Sequence, residues 1–267
     1  MINEIHLAAR DALKNGLLDN EVYDATVIET FGSGVYGSSI EFYSDLPIKN
    51  IIALQPRDCF TFGSSWRDAV KGLHCQGWGD HRDEIINYFT SEIKDHSFPT
   101  PDSHLELRVG ITGGATYCKL GMHRMIAAKV WLAYNHSENA TLKQVHCFYR
   151  PLIESVKKLM EECVDKGYSL KFYHNSTGKE NKGARSKAIG FDYLILVEKN
   201  NSVRDLYMLD KYSETLEPIK HYKSFFKTIC RLDLRSKLLR LKFKEVPLAL
   251  MKMMLDDRQF DGFFEKN

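Results

Sequence analysis

ATYCKLGMHRMIAAKVWL, residues 115–132, decides how this chain is read. Its first six residues suit a strand, Gly121 lets the backbone turn sharply, and Met125 to Leu132 are apolar on nearly all sides. Ala127 and Ala128 permit close packing on a sheet, so a helix over 122–135 is expected at the centre of a domain. Its first turn nevertheless carries His123 and Arg124, where the positive end of the helix dipole disfavours cations by about 0.3–1 kcal/mol. An anion is therefore expected beside them. The N–H groups of Met122, His123 and Arg124 would point at it, and the Arg124 guanidinium would clasp a phosphate bidentately. Lys119 would add charge, although alternate strand residues face opposite sides, so either Lys119 or Cys118 faces this site. The competing reading pairs Arg124 with a carboxylate such as Glu106 and lets His123 donate to a backbone carbonyl. Spacing leaves both open.

Working outward, HLELRVGI and ATYCKL flank Thr112-Gly113-Gly114 and read as a β-hairpin. Downstream, QVHCFYR reads as a strand returning beside it. Upstream, LPIKNIIALQPRD reads as one buried strand closed by Pro56, preceded by the Gly/Ser loop FGSGVYGSS. Helical patterns are expected at 3–18, 64–73 and 81–94. Beyond Pro151 come a helix at 151–166, strands at YSLKFYH, FDYLILVE and DLYMLDKY, and helical sequence to the end. The expected organisation is an N-terminal helix and loop (1–44), a mixed α/β unit (45–150) and a basic α+β region (151–267).

The 267 residues are 43% hydrophobic and 27% charged with net charge +2, an ordinary globular balance. No apolar stretch of signal-peptide or membrane-spanning length is present, and the six cysteines show no Cys-x-x-Cys pair. A reduced, cytoplasmic protein without membrane contact is expected. The small net charge hides a basic run: residues 217–252 hold ten Lys and Arg against three Asp and Glu. Within it Lys220, Lys223, Lys227, Arg231 and Arg235 recur at helical spacing near Tyr222, Phe225 and Phe226, a footprint for nucleic acid or a solvated helix face.

The block 115–132 followed by QVHCFYR resembles the strand, Gly-x-His-Arg turn, Ala-Ala helix and strand of the ParB N-terminal and sulfiredoxin superfamily, and LPIKNIIALQPRD resembles its opening strand. The resemblance covers about residues 45–150. It implies a ParB/sulfiredoxin-like mixed-sheet domain that holds the phosphates of ATP or another nucleoside triphosphate, with Mg2+, at Gly121, His123 and Arg124. Met122 stands where sulfiredoxin has its reactive cysteine, which excludes that repair chemistry, and 151–267 does not read as the helix-turn-helix of a partition clamp.

Catalysis of phosphoryl transfer would need a carboxylate. Glu106 is the nearest by sequence, with His123 as its partner; Asp102 and the Asp80-His81-Arg82-Asp83 cluster are further options, and the metal ligands are unknown. Gly32-Ser33-Gly34-Val35-Tyr36-Gly37 matches Gly-x-Gly-x-x-Gly formally but lacks an acidic ribose ligand, and Pro47 stands where a nucleotidyltransferase needs its second carboxylate. Three functions are expected as alternatives: a nucleotide-dependent phosphotransferase or NTPase linked to nucleic-acid processing, a ParB-like metal-dependent DNA nuclease, or a non-catalytic DNA- or protein-binding module. The joining of such a unit to an unfamiliar second region is what a phage or mobile-element product, acting in the host cytoplasm, would show.

Overall fold

The computed structural model describes the chain except residues 15, 35–38, 56–62, 74–76, 101–104, 175–192, 201, 220–242 and 261–267. The fold is mixed α/β, with one mixed sheet and one antiparallel sheet. The first sheet has six strands: β1 (Tyr23–Asp24), β2 (Ile40–Pro47), β3 (Ile51–Leu54), β4 (Arg108–Thr112), β5 (Ala115–Leu120) and β6 (Thr141–Arg150). Their order is β1-β3-β5-β4-β6-β2. β1, β3 and β5 run parallel, β4 and β5 form the expected hairpin, β4 runs parallel to β6, and β2 closes the edge antiparallel to β6. Segment 1–44 is built into this sheet through β1, β2 and the helix α2 (Ala25–Thr30).

The stretch expected as one strand, LPIKNIIALQPRD, is divided. It closes β2, makes a 3-10 turn at Ile48–Asn50 and starts again as β3 on the other side of the sheet. Pro47 lacks the N–H that would continue the β2 ladder, and Ile48 N–H bonds Ala140 O at 2.9 Å instead.

One face of the sheet is covered by α1 (Ile2–Asp11), α3 (Trp66–Ala69), α4 (Arg82–Thr90) and α5 (Met122–Asn135). α5 spans the expected residues, and Met125, Ile126, Ala127, Ala128 and Val130 are fully buried on it. Burial of each larger side chain contributes about 1.5–3 kcal/mol. The other face meets α2, α6 (Glu154–Lys166) and α7 (Leu248–Leu255). α6 begins three residues later than its sequence pattern because Gly32 bridges Leu152 and Phe31 O accepts from Ile153 N–H, holding that entry to the helix extended. Beyond these helices lies the second sheet: β7 (Ser169–His174), β8 (Tyr193–Lys199), β9 (Ser202–Asp210), β10 (Thr215–Pro218) and β11 (Lys244–Val246), ordered β10-β9-β8-β7-β11. α2 and α7 rest on β5 while α6 rests on β7 and β10, so the helices join the two sheets. The tip of the β4–β5 hairpin is closed by α7: Gly114 N–H bonds Met254 O at 2.9 Å, and a Cβ at Gly114 would lie 1.9 Å from Asp256 O.

Lys129 is buried in α5, its Nζ donating to Ile51 O and lying 4.0 Å from the Trp66 ring. The β3–β5 ladder is irregular between Ile51 and Ala53, so the lysine serves a carbonyl at that irregularity. Burial pushes its pKa well below the ordinary lysine value. The unfolded chain therefore binds a proton that the folded chain does not hold between the depressed value and about 10.4. Stability should rise with pH across that window, and Lys129→Met should flatten the rise; urea unfolding of both proteins at neutral and alkaline pH tests this.

Candidate functional site

Gly121 caps α5 with φ +89°, and the first intrahelical bond runs from Met125 N–H to Gly121 O at 2.8 Å. A side chain there would be strained by that φ, and its Cβ would lie 2.8 Å from Arg124 Nε and 3.0 Å from Leu107 Cδ1. Arg124 thus folds back over the glycine. Its guanidinium donates to Leu105 O and lies 5.3 Å from the Phe98 ring. No carboxylate lies within ion-pair distance of it among the described residues, and burial lowers its pKa from the ordinary value. Met122 is buried and His123 half-buried on the same turn.

The structure brings Gly121, Met122, His123 and Arg124 together and sends the other two expected partners elsewhere. Cys118 packs into the core beneath α5, so the next residue, Lys119, points from the opposite face of the sheet. Glu106 does not pair with Arg124. Its carboxylate meets His146 Nδ1 at 2.6 Å, accepts from the Tyr43 hydroxyl at 3.2 Å and stands 3.5 Å from Arg108 Nε. His146 Nε2 lies 3.3 Å from Glu41 Oε2. Both contacts are hydrogen bonds together only for the doubly protonated ring.

This cluster was not legible around Glu106 alone. The signal for it lies in strand alternation: His146, Phe148 and Arg150 occupy one face of β6, opposite Tyr43 and Glu41 on β2. The rings form a stack. Lys94 Nζ lies 5.1 Å from the Tyr43 ring, Tyr43 stacks on His146 at 4.8 Å, His146 meets Phe148 at 4.4 Å, and Lys119 Nζ caps Phe148 at 3.9 Å. Desolvation first, then the Glu106 carboxylate, pushes the Tyr43 pKa up to about 12. Glu106 orients one imidazole nitrogen of His146, an arrangement that suits proton transfer.

Lys119 also lines a cleft of about 540 Å³ where the helical layer leaves the two sheets apart. Its floor is Lys119 and Arg150 from the first sheet, its roof Phe172, His174 and Tyr193 from the second, and α2 forms a side. Lys211 and Lys244 complete the lining, making four Lys and Arg against one carboxylate, Glu29. Lys211 Nζ donates to Glu29 O at 2.7 Å, and Lys244 Nζ pairs with Asp24 at 2.6 Å. Desolvation lowers the Lys119 pKa from the ordinary value, followed by repulsion from Arg150.

The remaining candidates are placed elsewhere. Asp83 and its neighbours form surface pairs at the start of α4, with Arg82 on Glu4 at 2.8 Å and His81 on Glu84 at 2.8 Å. In the Gly/Ser stretch, the Ser33 hydroxyl (2.8 Å) and Gly34 N–H donate to Glu214, so a carboxylate of the protein takes these donors. Asp102 and the run Lys220, Lys223, Lys227, Arg231 and Arg235 lie outside the described residues. Among the described residues no three His, Cys, Asp or Glu side chains converge on a metal position, and no helix is long and apolar enough to cross a membrane.

No family model, curated protein or solved structure matches the chain. Its function is inferred from the geometry of these residues and from the resemblance in its sequence.

Glu106→Gln removes the charge that opposes Tyr43 ionisation. The step of an alkaline absorbance titration that Tyr43→Phe abolishes should move down toward the ordinary tyrosine value of about 10; an unmoved step would show that burial alone holds it high.

Proposed function

We propose that this chain binds a nucleoside triphosphate, ATP or another, with its phosphates at the start of α5, and transfers or hydrolyses a phosphate in nucleic-acid processing. The observation that carries this reading is the Arg124 guanidinium: desolvated at the positive end of a 14-residue helix, with a carbonyl and a ring as its partners. The helix end and the guanidinium repel one another, and an anion between them relieves both. The resemblance to the ParB and sulfiredoxin superfamily implies the same anion at the same residues, Gly121, His123 and Arg124.

The division of labour follows from position. Gly121 admits the phosphate close to the backbone, the N–H groups of Met122, His123 and Arg124 face it, and the guanidinium clamps it. Mg2+ arrives on the phosphates, as it does where protein ligands are few, since no three-ligand set converges among the described residues. Glu106, engaged with His146, is not the carboxylate of this site.

A second reading, cleavage of a phosphodiester in the manner of a ParB-like nuclease, draws on the Glu106–His146 pair. It assigns proton transfer to His146 rather than His123, with Arg108 and Lys119 on the same sheet face to hold phosphate. Plasmid nicking that His146→Ala abolishes and His123→Ala spares would favour it.

Calorimetric titration of ATP, ADP, CTP and GTP with Mg2+ tests the first reading. Binding of one nucleotide in the micromolar range is expected, weakened about tenfold to a hundredfold by Arg124→Ala, the worth of one charged hydrogen-bond clamp. Absence of binding to the folded chain would overturn it.

A further inference from the structure

We propose that the cleft between the two sheets is a separate site that takes a nucleotide unit, its phosphate on the floor around Lys119 and Arg150 and its base against His174 and Tyr193. The inference does not rest on the α5 reading, because Lys119 opens onto the opposite sheet face from Arg124.

The charge argument comes first. Lys119, Arg150, Lys211 and Lys244 reach the cleft from β5, β6, the turn after β9 and β11, so elements far apart in sequence bring like charges to one enclosure. Lys244 is matched by Asp24, and Lys211 is positioned by the Glu29 carbonyl. Lys119 has an aromatic ring as its contact and no carboxylate within ion-pair distance among the described residues. Its ammonium is half desolvated and repelled by Arg150, a condition that a phosphate dianion reverses.

The second argument is shape and ring chemistry. A cleft of about 540 Å³ falls within the range of small-molecule sites, about 300–1,000 Å³. His174 and Tyr193, paired across β7 and β8, stack with ring centroids 4.9 Å apart at 26°. His174 is exposed, so the stack presents a ring face on which a base can continue it. Cations opposite an open aromatic stack select a phosphorylated nucleoside over bare phosphate. The nucleoside can come from a free nucleotide or from an unpaired nucleotide of a strand.

Fluorescence anisotropy of a labelled oligothymidylate of about ten nucleotides, with ATP and pyrophosphate as competitors, tests the site. Lys119→Glu should weaken binding at least tenfold and His174→Ala severalfold. Lys252→Glu, an equal charge change on exposed α7, and Arg124→Ala should leave it unchanged. If Lys119→Glu fails to fold by circular dichroism, Lys119→Met, which keeps the stem over Phe148, replaces it. Displacement by ATP identifies a free nucleotide as sufficient, and retention against ATP identifies the strand; either supports the site. Equal weakening by Lys119→Glu and Lys252→Glu, an unaffected Lys119 variant, pyrophosphate competing as well as ATP, or no binding to folded protein would each overturn the proposal. Loss in Arg124→Ala alone would do so too while supporting the α5 reading.

Discussion

The turn at Gly121 is the constraint on which the arrangement of this protein depends. With φ at +89° the chain leaves β5 and enters α5 without a connecting loop, so the helix axis and the strand are fixed relative to one another by one residue. α5 is then laid over the core face of the sheet, where five of its side chains are wholly buried. The same geometry dictates that Lys119, one residue after core-facing Cys118, goes to the far face. The cations that adjoin in sequence around Gly121 are in this way dealt to two sides of one sheet.

The far face is polar for a reason of packing. Helices α2, α6 and α7 cover only part of it, and where they stop the sheet carries Tyr43, His146, Phe148, Arg108 and Lys119. These groups satisfy one another in a continuous stack closed by an ammonium at each end. Glu106 takes its place in that stack because loop 105–107 is pinned from behind: Arg124 bonds Leu105 O and the Tyr88 hydroxyl accepts from Leu107 N–H at 3.0 Å. Arg124 therefore touches both sites, directly at α5 and through the backbone of the loop at Glu106.

Local pattern carried the reading of the fold where the signal was local. The Gly113-Gly114 hairpin, α5 and the strands beyond Pro151 follow from periodicities of two and 3.6 and from turn residues within a few positions of one another. Strand β2 escaped because its residues, Ile40 to Pro47, mix charge with aromatic rings at an edge, and its continuation into Ile48 looks like one hydrophobic run with β3. The site was legible at Gly121 to Arg124, four adjacent residues. The Glu106–His146–Tyr43 cluster joins residues from three separated stretches, and the cleft needs β11 beside β7, pairings that no single window of sequence contains.

The docking of α7 against Gly114 bears on how the chain is made. The hairpin tip of the first sheet stays open until Met254 and Asp256 arrive, and Lys244 on β11 reaches the cleft in the same late segment. During synthesis, at about 5–20 residues per second, the apolar face later sealed by Leu250, Met251 and Met254 faces the ribosome's surroundings for most of the elongation time. Such long-range closure makes folding slow for the size of the chain and leaves an interval in which chaperones have a surface to hold. A chain shortened before residue 244 would lose both the seal and one wall of the cleft together.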